Sequence, residues 1–233
     1  MQIDETMTRG RRRVAGIAAF TLAATLVGCA TSAPDPRSHA PSPAVAAPGA
    51  QEVDYRTLGA PDAPVTVIEF TDLQCPYCAR FALETWPRLR ERYVETGRVR
   101  FVSRDLPLGF HAHALPAAVA ARCAGEQGAF WDYREALFRG QARLATAPYV
   151  EIARRFGLDP VRFEACRTDP AATASVREDA AIAARNGIGT TPTFVIGRLV
   201  DGQFRGEVLS GAQPFEAFAE RIDALVSAEP PQR

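Results

Sequence analysis

The sequence predicts an α/β fold in which a block of helices interrupts a mixed sheet. Three observations support this. A β-type run, Val65-Thr-Val-Ile-Glu-Phe-Thr71, leads through Cys75-Pro-Tyr-Cys78 directly into helix-forming sequence. A second run with period two, Arg98-Val-Arg-Phe-Val-Ser-Arg104, follows that helix. Only helical signals then occur until β-type residues return at Thr193-Phe-Val-Ile-Gly197.

In chain order, residues 54–59 are expected to add a short edge strand, and Gly59-Ala-Pro-Asp-Ala-Pro64 reads as a turn. Residues 65–71 are mostly apolar and β-branched, as a buried central strand requires. The first helix is expected from Pro76 to about Glu95. Ala82, Trp86, Leu89 and Tyr93 lie at helical spacing for the core, and Pro87 should kink the helix without ending it. A crossover helix makes the strands on either side of it parallel. Further helices are expected over residues 114–126, 129–139, 148–156, 160–166 and 171–186, punctuated by Gly140, Gly157-Leu-Asp-Pro160 and Asp169-Pro170. Strands at 193–197 and within 199–209 should turn near Asp201-Gly202. Phe215, Phe218, Ile222 and Leu225 mark one face of a closing helix over 215–226.

The Cys-x-x-Cys pair at a strand-to-helix junction is where chemistry is expected. Proline is well tolerated in the first helical turn, so Pro76 sets the helix start and leaves Cys75 at its N-terminal edge. Unpaired N–H groups and the positive end of the dipole favour an anion there, and the thiolate is the attacking form of cysteine. A helix terminus contributes up to ~2 kcal/mol, so it lowers the Cys75 pKa by roughly one unit. A larger shift needs hydrogen bonds to the sulfur, for instance from the Cys78 thiol. Cys75 is therefore expected to attack, and Cys78 to resolve the mixed disulfide.

The chain has 233 residues, 47% hydrophobic and 23% charged, with 27 basic and 27 acidic side chains. That balance offers no basic face for nucleic acid. Residues 1–28 read as an export signal, with Arg9 and Arg11 to Arg13 ahead of an uncharged apolar run that is short for a membrane span. Met7 is a possible alternative start. Leu26-Val-Gly-Cys29 resembles the lipobox of bacterial lipoproteins, which implies cleavage before Cys29 and its lipidation. The alternative is an ordinary cleaved signal with an incidental cysteine. Residues 29–53, rich in Ala, Pro, Ser and Gly, form a spacer with too little apolar surface to order itself. These features place the protein in the periplasm or cell envelope, membrane-anchored through Cys29, or otherwise exported and soluble. The folded domain is expected over 54–228, with the helical insertion at about 112–186 and enough chain to close a core.

A Cys-x-x-Cys after the first strand, a helical insertion, and a Thr-Pro at the head of a later strand together resemble the thioredoxin fold, specifically its DsbA-like branch. The resemblance covers about 59–228. Cys75-Pro-Tyr-Cys78 resembles the redox motif, and Thr191-Pro192 the loop whose proline is cis in this family and faces the cysteines. Glu69, six residues before Cys75, matches a buried acid that helps move the proton of the second cysteine. The resemblance implies a protein thiol:disulfide oxidoreductase that needs no cofactor or metal. Physically, X–Pro is the peptide that adopts cis at modest cost, and a cis turn would free the Thr191 backbone to pair with an extended substrate. The bland alternatives are a strand-start proline at Pro192 and a surface glutamate at Glu69. The Pro-Tyr dipeptide departs from the Pro-His of strong oxidants, so oxidising strength does not carry over.

In an oxidising compartment Cys123 and Cys166 are expected to pair, as in several helical relatives; two free buried thiols are the alternative. His111 and His113 are read as surface or capping residues, since no spacing supports a metal site. Trp131 is read as a core anchor of the insertion. The partners implied are exported proteins bearing cysteines or disulfides and a membrane redox partner. A monomer is expected, because only the spacer precedes the fold. Two rivals remain: a tethered Cu(I) carrier using Cys75 and Cys78 as soft ligands, and a glutathione-dependent enzyme on the same fold.

Overall fold

The computed structural model describes residues 54–146, 148–200 and 203–228. The export signal, Cys29, the spacer and the turn at Asp201-Gly202 lie outside the described residues.

Five strands form one sheet in the order β1-β3-β2-β4-β5, with β1 at Thr57–Leu58, β2 at Val65–Thr71, β3 at Val99–Asp105, β4 at Thr193–Val200 and β5 at Gln203–Ser210. β2 and β3 are parallel, as their crossover helix requires. β1, β4 and β5 pair antiparallel to their neighbours. β2 is central and covered on both faces, which is why its run is so apolar. Val65 and Val67 pack on one side with Phe81, Trp86, Phe194 and Phe218. Phe70 packs on the other with Leu106, Ala183 and Ile188.

The helix after the cysteines runs without a break over 76–94, but not as plain α-helix. It comprises α1 at Pro76–Arg80, a π segment at Phe81–Thr85, α2 at Trp86–Leu89 and a second π segment at Arg90–Val94. Pro87 has no N–H, and its ring displaces the carbonyl one turn back. The chain accommodates it by widening: the Trp86 N–H reaches past the usual acceptor to the Phe81 carbonyl. The helix thus passes Pro87 through π turns and does not end there.

The inserted block comprises α3 (Ala114–Gly125), α4 (Phe130–Arg139), α5 (Tyr149–Arg155), α6 (Pro160–Thr168) and α7 (Pro170–Arg185). A 3-10 turn over Gln141–Thr146, which the sequence did not signal, links α4 to α5. α3 is alanine-rich and buried, so Tyr133, Leu137 and Phe163 can pack close to its axis. The Cys123–Cys166 disulfide ties α3 to α6. α8, Phe215–Ser227, closes the sheet with Phe215, Phe218 and Ile222 facing inward.

Two features lock the block onto the sheet. Trp131 stacks on Trp86 at 5.4 Å and donates its indole N–H to the Tyr55 carbonyl at 3.0 Å. On the opposite side, Asp179 of α7, only 2% exposed, accepts from Arg56 at 2.7 Å, Arg104 at 2.9 Å and Arg122, and from the Asp105 amide at 3.1 Å. A buried carboxylate is tolerated only with such pairing and hydrogen bonding.

Candidate active site

Cys75 caps the N-terminal end of α1 in an extended conformation, with Pro76 in the first turn. Cys75 and Cys78 are both free thiols here, Cys75 5% exposed and Cys78 fully buried. The geometry pushes their acidities apart. The Cys75 pKa falls to about 5 from an ordinary thiol value. Its main cause is the hydrogen bond from the Cys78 thiol; burial opposes it, and the Thr191 side chain and the backbone N–H groups of Cys78 and Tyr77 add to it. Those two amides are the unpaired donors of the first helical turn. The drop exceeds the roughly one unit available from a helix terminus, because the neighbouring thiol contributes most. At pH 7 such a thiol is mostly thiolate. Cys78 moves the other way: burial, then its bond to Cys75 and the charge there, hold its pKa well above the ordinary value. Its sulfur accepts from the Asp72 amide at 3.4 Å.

Thr191 and Pro192 are brought to the cysteines across the sheet. The Thr191–Pro192 peptide is cis. The Cys75 sulfur lies 3.4 Å from the Thr191 carbonyl oxygen, and the Gly211 amide holds the Pro192 carbonyl at 2.8 Å. Thr191 is 9% exposed, and among the described residues its hydroxyl has no hydrogen-bond partner.

Glu69 is fully buried on β2, on the face shared with Val65 and Val67. Burial pushes its carboxyl pKa up, while Arg134 of α4 opposes by charge and hydrogen bonding. One Arg134 Nη donates to both carboxylate oxygens, at 2.7 and 2.6 Å. Glu69 is therefore not a surface residue but half of a buried ion pair behind the cysteines.

Four further residues shape the site, and of these only His111 was singled out from the sequence. Asp72 accepts from the amides of Gln74 at 2.7 Å and Cys75 at 3.1 Å with one oxygen. Its other oxygen accepts from the Leu108 amide at 2.8 Å and meets His111 Nδ1 at 2.8 Å. His111 is thus neither a surface nor a capping residue; it clasps the loop after β3 to the cysteine loop. His113 stands at the N-terminal edge of α3 without a side-chain cap bond, its amide donating to Gln74. Gln141 donates to the carbonyls of Leu73 and Cys75, both at 2.9 Å. Arg134 is the fourth. A sequence signal for it existed, since it falls on the apolar stripe of Phe130, Leu137 and Phe138. Around this framework Tyr77 and Phe110 stand exposed.

The family model described as Thioredoxin matches residues 51–224. The chain is 36% identical over 177 residues to the Na(+)/H(+) antiporter NhaA 3 of Salinispora tropica, covering 75% of this chain but 26% of that protein. The chain therefore spans only about a quarter of that antiporter, and no helix among the described residues is long and apolar enough to cross a membrane. It is 33% identical over 89 residues to the probable disulfide bond formation protein D of Bacillus anthracis, covering 38% of this chain and 41% of that one. Among solved structures, Wolbachia pipientis alpha-DsbA1 superposes with a TM-score of 0.66 at 26% identity, covering 73% of this chain and 90% of that chain.

Proposed function

The chain belongs to the thioredoxin family, in its DsbA-like branch, and on that premise we propose that it is an extracytoplasmic thiol:disulfide oxidoreductase. The single observation that carries this is the Cys75 sulfur, set at a helix N-terminus 3.4 Å from the carbonyl ahead of a cis proline. That arrangement holds an acidic sulfur beside backbone able to pair with an extended peptide.

In the oxidising direction a substrate thiolate attacks Cys75. The Cys75–Cys78 bond breaks, and its electron pair passes to the Cys78 sulfur, which takes up a proton. A second substrate thiolate then attacks the substrate sulfur of the mixed disulfide, and Cys75 leaves as a thiolate. Run in reverse, Cys75 attacks a substrate disulfide, and Cys78 loses its proton and displaces the substrate. A lowered Cys75 pKa stabilises the reduced protein relative to its disulfide, which favours the oxidising direction.

The substrates are exported proteins with cysteines, and a membrane redox partner restores the disulfide. Thr191 and Pro192 hold the substrate strand, Glu69 handles the proton of Cys78, and lipid on Cys29 tethers the domain through its spacer. Two acyl signals suffice for stable anchoring.

The test measures oxidative refolding of a reduced, scrambled substrate, insulin reduction, and the potential of the Cys75–Cys78 couple, with Cys75→Ser and Cys78→Ser controls. A value near roughly −120 mV identifies an oxidant and one near roughly −270 mV a reductant. Copper retention by the intact chain with no thiol exchange overturns the assignment. Cys29→Ser is expected to shift the protein from membranes to the soluble fraction.

A further inference from the structure

The Cys78 thiol must gain or lose a proton in every cycle, yet it is 0% exposed. The carboxylate that could exchange that proton, Glu69, is also 0% exposed and is held by Arg134. The connection between them is Thr71. In β2, side chains two residues apart share a face, so Thr71 stands beside Glu69 and one step nearer the cysteines. The peptide joining Thr71 to Asp72 donates its N–H to the Cys78 sulfur at 3.4 Å, which places that sulfur at the Thr71 end of the strand. Thr71 is 2% exposed, and among the described residues its hydroxyl has no hydrogen-bond partner. A buried unpaired hydroxyl is costly to a fold, so its retention at this point calls for a reason. A valine would fill the same space.

We infer that the Thr71 hydroxyl relays the proton between the Cys78 thiol and the Glu69 carboxylate. The inference rests on the thiol–disulfide function proposed above. As Cys78 prepares to attack, its S–H donates to the Thr71 oxygen while the Thr71 O–H donates to Glu69. One proton leaves sulfur, one arrives on the carboxylate, and the hydroxyl is unchanged. The Cys78 thiolate then forms the Cys75–Cys78 bond as the Cys75–substrate bond breaks, and the substrate departs as a thiolate. In the oxidising direction the same shift runs backwards. A hydroxyl has one donor and acceptor lone pairs, so it can serve both neighbours at once. In accord with this, the Thr71 side chain acts on both groups, lowering the pKa of the carboxylate and of the sulfur alike. The other charged groups facing this path are Arg134 from α4, Asp105 from β3 and Asp72 from the cysteine loop.

The reaction of the full reduced chain with Ellman's aromatic disulfide separates the two steps. Attack by Cys75 releases the first thionitrobenzoate, and resolution by Cys78 releases the second. Thr71→Val is expected to slow the second release about tenfold or more, to alter its pH profile, and to leave the first unchanged. Thr71→Ser, which restores a hydroxyl, should recover most of the rate. A Thr71→Val protein that resolves at the wild-type rate overturns the relay, as does a slowed one whose pH profile is unaltered or that serine does not rescue. Should the valine variant not fold, the wild-type second release in mixed light and heavy water decides: a curved dependence on deuterium fraction supports two protons in flight, and a linear one refutes them. Wild-type protein that releases no thionitrobenzoate at all would overturn the oxidoreductase function itself.

Discussion

The Cys75 sulfur lies 3.4 Å from the main-chain oxygen of Thr191, a residue 116 positions later in the chain. The Thr191 hydroxyl, buried and otherwise unpaired, also lowers the Cys75 pKa. Thr191→Val keeps the shape and removes the donor. A hydrogen bond to a charged group contributes about 1.5–3 kcal/mol, or about one to two pKa units. The Cys75 pKa is expected to rise by about one unit in this variant, read from thiolate absorbance or alkylation rate against pH. An unchanged titration would show that Thr191 acts through its backbone alone.

The same acidity makes stability depend on redox state and pH. The Cys75 pKa is about 5 folded and near 9 in an ordinary thiol, so the folded value is the lower one. Its contribution to the reduced protein is fully present above the unfolded value and is lost as pH falls through the folded value. Cys78, with a raised pKa, contributes stability that is lost at alkaline pH. The disulfide form titrates neither group. The melting temperature of the reduced form relative to the oxidised form is therefore expected to climb between about pH 5 and pH 9. Paired thermal scans on the two forms test this, and a flat difference across that window would contradict the assigned acidity.

Glu69 and Arg134 form a pair whose members are 0% and 3% exposed. Removing one partner of such a pair strands the other charge in a low-dielectric interior, at a cost of about 3–5 kcal/mol. Arg134→Met is expected to lose about that much in denaturant unfolding. Adding Glu69→Gln should restore most of it, because the stranded charge goes with it. If the single and double variants are equally unstable, the loss comes from the packing of Arg134 against Phe138 and Trp131 instead.

What could be read in the sequence was whatever local order writes down. The cysteine pair at a strand-to-helix junction, the apolar run of β2 and the punctuated helices follow from short-range periodicity and turn chemistry. That Pro87 would not end the helix was legible, but the π turns around it were not, because they depend on how the whole helix packs. Contacts that close over long separations left fainter marks. Arg134 lies 65 positions from Glu69, and His111 lies 39 from Asp72. An arginine or histidine is taken for a surface residue until the fold supplies its partner. Arg122 and Arg134 did leave a trace, each being a charge on an otherwise apolar helical face. A charge so placed asks for a buried counter-ion, and Asp179 and Glu69 are those counter-ions.

The disulfide between Cys123 and Cys166 joins α3 to α6 across 43 positions, on elements separate from Cys75 and Cys78. Closing a loop of that length restricts the unfolded chain by about 3–4 kcal/mol in the chain-entropy model. The insertion carries the 3-10 turn whose Gln141 holds the carbonyls of Leu73 and Cys75, so loosening the block could also reach the site. These effects separate cleanly in a Cys123→Ala/Cys166→Ala protein. It is expected to lose about 3–4 kcal/mol in denaturant unfolding while its Cys75 alkylation profile against pH stays in place, because no group that sets the Cys75 pKa lies on α3 or α6. A shifted profile would mean instead that the bond holds Gln141, and through it the cysteine loop, in register.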